Sequence, residues 1–136
     1  NRTVGSGLNL AANEIDFNGG PGSVTVTGGG VLSIQTTHAS GSFGLGNLTV
    51  GNTPNRLDLS ATDTAALGGG FSEVVIGNTT DTREILIGSG ATFGSPLSLN
   101  VNALGAANVA IHSRATSGLC LALAKMNEPC RTVCMK

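Results

Sequence analysis

A repeat of 49 residues constrains this chain more than any other feature. LNLAANEIDFNGGPGSVTVTG, from Leu8, aligns without a gap on LDLSATDTAALGGGFSEVVIG, from Leu57. The alignment matches Leu8, Leu10, Ala12, Glu14, Gly19, Gly20, Ser23, Val26 and Gly28 to Leu57, Leu59, Ala61, Asp63, Gly68, Gly69, Ser72, Val75 and Gly77. A period in this range signals stacked supersecondary units. It is too long for one turn of a β-coil and suits two.

Halving the unit gives three apolar ladders. The first is Leu8, Leu32, Leu57, Ile85 and Val109, at intervals of 24, 25, 28 and 24 residues. The second is Val24, Leu48, Val74 and Leu97, at 24, 26 and 23, and the third is Phe17, Phe43, Leu67 and Phe93, at 26, 24 and 26. In the first two ladders an aliphatic residue follows two positions later, as in Leu10, Ile34, Leu59 and Ile87. That is the period of a strand with one buried face. Segments such as NGGPGS, TGGG, GNTPNR and GNTTDT separate the pairs and carry residues that tolerate bent or left-handed backbone. Three strands per turn predict an all-β chain wound as a three-sided parallel β-solenoid of about five turns. Leu59 should then lie between Ile34 on one rung and Ile87 on the next. The expected division is repeats over 1–111 and a terminal turn or cap over 112–136.

Composition agrees with a narrow aliphatic interior. The chain is 40% hydrophobic, with 21 Gly, 4 Phe, no Trp and no Tyr. A net charge of −1 gives no general attraction to nucleic acid or anionic membrane, and no apolar run reaches the ~18 residues of a span. The sequence begins at Asn1, and we read it as a piece of a longer polypeptide.

The motifs LNLAANEIDFNGG, VLSIQ, LDLSATDTAAL, GFSEVVIGN and ILIGSGATFGSPLSL resemble the β-strand repeats of cyanobacterial large exoproteins, relatives of filamentous-haemagglutinin-type adhesins. The resemblance covers about Leu8 to Val101. It implies a right-handed solenoid exported to the cell exterior, acting in adhesion or surface structure, with no catalytic residues. The implied partners are neighbouring repeats of a longer chain, or identical subunits end to end, and an unidentified surface or receptor.

From about His112 the pattern breaks. HSRATSGLCLALAKMNEPCRTVCMK reads as a final partial turn by register, because Leu119 lies 26 residues beyond Phe93 and Leu121 and Leu123 alternate. It reads as a short helical cap by local propensity, because Leu, Ala, Lys and Met favour helix. A third reading is a segment set only by where the fragment or frame ends. Propensity tips the balance to the cap. The tail also holds Cys120, Cys130 and Cys134, an odd count that leaves at least one thiol outside any intramolecular disulfide. If Cys130 and Cys134 sit one helical turn apart, Cys120 with one of them is the better pairing.

Sites with chemistry are few. A structural zinc site wants four ligands, and His38 and His112 have no finger-like spacing to the cysteines. Glu14 and Asp16, with Asp58 and Asp63 one unit later, are the carboxylates for acid–base work or calcium. Glu14 and Asp63 occupy equivalent repeat positions, which favours a turn role, since scaffold groups recur and catalytic groups need not. Gly28-Gly29-Gly30 and Gly68-Gly69-Gly70 lack the Lys-Ser or Lys-Thr of a phosphate loop. No catalytic residue, cofactor or metal is expected, and the chain reads as a structural segment rather than an enzyme.

Overall fold

The computed structural model describes residues 7–25, 29–48, 54–102, 108–111, 120–123 and 131–134. Strands form where aliphatic residues alternate with polar ones. They are β1 (Leu8–Ala12), β2 (Val31–Thr36), β3 (Ser42–Leu45), β4 (Arg56–Leu59), β5 (Glu73–Ile76), β6 (Glu84–Ile87), β7 (Leu97–Leu99) and β8 (Asn108–Ile111). Two more, β9 (Cys120–Leu123) and β10 (Arg131–Cys134), follow in the tail. One short helix, α1 (Ala61–Ala66), lies between β4 and β5.

The strands build two parallel four-stranded sheets, ordered β1-β2-β5-β7 and β4-β3-β6-β8, plus an antiparallel β9-β10 pair. Leu32 and Ile34 from β2, Phe43 and Leu45 from β3, Leu57 and Leu59 from β4, Val74 and Ile76 from β5, and Ile85 and Ile87 from β6 meet in one buried cluster. Leu8, Leu10, Phe17, Val24 and Phe93 pack around it, half-buried. The outward positions of β1 and β2, among them Asn9, Ser33 and Gln35, carry polar side chains.

This architecture overturns the three-sided solenoid. A solenoid advances by one coil per turn, so strand order along each sheet must follow chain order. Here Leu8 pairs with Leu32, but Leu32 pairs next with Val74 and Val74 with Leu97, joining two of the expected ladders in one sheet. In the other sheet Phe43 stands between Leu57 and Ile85, and Ile85 pairs with Val109. The chain therefore doubles back from β3 to β4 and then crosses to the far side of β2 and β3. Leu59 lies beside Leu45, not between Ile34 and Ile87. No third parallel sheet forms among the described residues. Val24 and Leu67 meet only in an isolated parallel bridge, and Phe17 and Phe93 are core-packing side chains outside any strand.

The physical reason is that the aliphatic pairs are interchangeable. Leu-x-Leu, Ile-x-Ile and Val-x-Ile present similar bulk at the same period, so hydrophobic pattern alone does not say which stacks on which. Local features decide. Arg56 and Asp58 project together from the outward face of β4, and they pair across Gly44 of β3. A Cβ on Gly44 would strike the Asp58 carboxylate and crowd Arg56 Nε at 3.2 Å. Stacking β4 on β2 would instead set Ser33 against that pair. The reversal itself is tight, since parallel neighbours usually need a connection of a dozen or more residues. Left-handed backbone at Gly46 (φ 78°) and Asn55 (φ 66°) turns the chain at its two ends.

Helix α1 starts at Ser60, whose side chain accepts from Asp63 N while the Asp63 carboxylate accepts from Ser60 N, a capping box. Six residues are too few to stand alone, and burial of Thr64 and Ala66 holds the helix on the core. The helical cap expected in the tail is also overturned. Cys120–Leu123 and Arg131–Cys134 are strands in an antiparallel pair, so pairing outweighs the helix propensity of Leu and Ala.

Phe43 is fully buried on an inner strand, whereas Leu10 is half-buried on an edge strand. Phe43→Ala should cost about 3–5 kcal/mol and Leu10→Ala well under that, read from urea midpoints at unchanged slope. Equal losses at the two positions would contradict the placement of the core.

Candidate functional site

The four carboxylates singled out in the sequence come together. Glu14, Asp16, Asp58 and Asp63 line one cleft of about 520 Å³, with Ile15, Gly46, Asn47, Leu48, Arg56 and Ser60. The segment after β1 supplies Glu14 and Asp16, the outward face of β4 supplies Arg56 and Asp58, and α1 supplies Asp63.

Two of the four are committed to structure. Asp63 Oδ2 accepts from Ser60 N at 2.9 Å and from Ser60 Oγ at 2.6 Å, and its Oδ1 accepts from Phe17 N at 2.8 Å. The carboxylate thus caps α1 and ties down the chain 46 residues earlier. Burial pushes its pKa up, but the bonds from the Ser60 hydroxyl and the Phe17 and Ser60 amides outweigh it, and the value lies below the ordinary carboxylate range. Asp58 accepts from Arg56 twice, Nε to Oδ1 at 2.5 Å and a terminal nitrogen to Oδ2 at 3.0 Å. Residues two apart on a strand share a face, which makes this fork possible. The Arg56 side chain is only 3% exposed, so it depends on Asp58 for its counter-charge.

Glu14 and Asp16 are exposed. General acid catalysis at neutral pH needs a carboxyl raised toward the working pH. The lowered pKa of Asp63 goes the other way. Among the described residues, no three His, Cys, Asp or Glu side chains are placed to hold a metal ion. A second, smaller polar cleft of about 300 Å³ lies beside Ser40, Ser42, Pro54, Asn55, Arg83 and Glu84. Ser40 and Asn55 are the two non-glycine residues with left-handed backbone there, at the turns leading into β3 and β4.

The other expected site residues scatter. Leu48 lines the carboxylate cleft rather than the core, and Leu67 is buried at the end of α1. Val109 is placed by backbone register alone, in β8. Cys120 and Cys134 are register partners across β9 and β10, while Cys130 and His112 lie outside the described residues. The sequence reading missed the capping role of Asp63 and the burial of Arg56. Both had signals: Ser60 three residues before Asp63 just ahead of an apolar stretch, and an Arg-x-Asp spacing on a strand.

Comparison with family models, with curated proteins and with solved structures finds no match to this chain.

Because the pKa of Asp63 is lowered on folding, its carboxylate contributes stability that is full above the unfolded value, near 3.9, and is lost as pH falls through the folded value. Asp63→Asn removes one acceptor from three donors and should cost about 1–3 kcal/mol at pH 7. Chemical denaturation from pH 7 to 2 should show a shallower acid slope in the variant. A wild-type slope unchanged by the substitution would remove Asp63 from the acid sensitivity.

Proposed function

We propose that this chain is a structural segment of a secreted or cell-surface adhesin-like exoprotein, a stalk or display scaffold rather than an enzyme. The observation that carries this reading is the fate of the carboxylate cleft. Two of its acids, Asp58 and Asp63, serve an ion pair and a helix cap. The repeat motifs support the same reading through their resemblance to adhesin exoproteins, although the solenoid of that family does not come with them. The partners are adjoining regions of a longer polypeptide and a surface or receptor, with no nucleic acid and no membrane insertion. Among the described residues, no helix is long and apolar enough to cross a membrane.

A second reading, a subunit that assembles into extracellular filaments, draws on the sheet edges. β1 and β4 are both terminal strands, and each pairs on one side only among the described residues. Such edges present unpaired N–H and C=O groups to another chain.

Light scattering after size exclusion, then negative-stain imaging, separates the two. The scaffold reading expects monomers at all concentrations and no release of reducing or unsaturated ends from pectin or alginate. Filaments would establish the second reading. Reproducible turnover abolished by Asp16→Asn or Asp58→Asn would overturn both.

A further inference from the structure

We infer that Cys120 and Cys134 form a disulfide across the β9–β10 ribbon, leaving Cys130 as a free thiol. Three cysteines allow three pairings, and the backbone register selects one. Cys134 stands directly opposite Cys120, with Val133 opposite Leu121, Thr132 opposite Ala122 and Arg131 opposite Leu123. Directly opposed residues in an antiparallel pair have Cα atoms about 4.5–5.5 Å apart and share a face of the ribbon. That spacing lies within the roughly 4.4–6.8 Å a disulfide spans. Cys130 precedes Arg131 in the sequence and has no place in the ladder, whose end away from the Cys120–Cys134 pair is Arg131 opposite Leu123. The helical spacing that made Cys130 and Cys134 side-by-side neighbours does not exist, because Arg131–Cys134 is a strand.

The chemistry is a two-electron thiol–disulfide exchange with a low-molecular-weight disulfide such as oxidised glutathione. One thiolate attacks it, releasing one reduced thiol and forming a mixed disulfide. The second thiolate then displaces the other half as a second thiol. Two protein thiols are oxidised, one external disulfide is reduced, and both thiol protons leave with the products. The product clips the two strands of a ribbon that would otherwise be marginal alone. An oxidising exterior would favour it, and that much rests on the proposed surface location. The pairing itself does not.

Trypsin separates the three cysteines, because cleavage after Arg114, Lys125 and Arg131 leaves Cys120 in 115–125, Cys130 in 126–131 and Cys134 in 132–136. The full chain is equilibrated with oxidised and reduced glutathione, and its monomer fraction is alkylated, digested without reductant and read by mass spectrometry. The expected result links 115–125 to 132–136, with 126–131 carrying the alkyl group. Cys130→Ser should keep that link and Cys134→Ser should lose it. A dominant link through 126–131, or three unlinked peptides, would overturn the pairing. Neither outcome would bear on the scaffold reading, which makes no use of the tail.

Discussion

Every inner strand of the two main sheets is held by the same demand: an aliphatic pair, two residues apart, must stack on another pair while both backbone edges find parallel partners. β2, β3, β5 and β6 meet it on both sides, and their inward residues Leu32, Ile34, Phe43, Leu45, Val74, Ile76, Ile85 and Ile87 are almost wholly buried. β1, at an edge, meets it on one side, and Leu8 and Leu10 are correspondingly half-exposed. Burial of each such side chain contributes about 1.5–3 kcal/mol, which lets a chain with four Phe and no Trp or Tyr hold a core.

That demand is generic, so it does not choose an order of strands. The choice falls to the polar outer face and to the connections. The Arg56–Asp58 fork needs a neighbour without a side chain, and Gly44 provides one. Asp63 reaches from the N-terminus of α1 to the amide of Phe17, and this bond fastens the segment after β1 to the segment after β4. Three of the charged residues in the cleft, Arg56, Asp58 and Asp63, therefore serve to fix the order of its elements. The scaffold proposal draws on that: of the acids gathered in the cleft, Asp58 and Asp63 hold elements together.

Much of this was legible in the sequence and one large part was not. The period of two marked the inward faces, and the positions of the first ladder in β4 and β6, Leu57, Leu59, Ile85 and Ile87, are buried. The intervals near 24 also placed Leu8 beside Leu32 and Ile85 beside Val109. They failed at Leu57, because residues 61–66 form a helix where an even repeat would continue extended, and because the chain reverses at Gly46. The capping box at Ser60 and Asp63 was the readable warning. In the tail, helix propensity misled where strand pairing prevailed. Among the cleft residues, the common position of Glu14 and Asp63 in the repeat pointed to a structural role. The Arg-x-Asp spacing put Arg56 and Asp58 on one face of β4, but nothing in the pattern showed that the Arg56 side chain would be buried.

The central claim is the reversal, which puts β2 beside β5 and not beside β4. Its sharpest test uses Ser33, which lies opposite Val75, whereas an evenly advancing coil would put it opposite Asp58. Cysteines are placed at Ser33 with Val75, and separately at Ser33 with Asp58, in a chain whose three native cysteines are replaced by serine. Neighbouring strands lie about 4.8 Å apart, close enough for a direct disulfide. The account predicts rapid cross-linking of the first pair under mild oxidation and little of the second. Rapid cross-linking of Ser33→Cys with Asp58→Cys, and none with Val75→Cys, would contradict it.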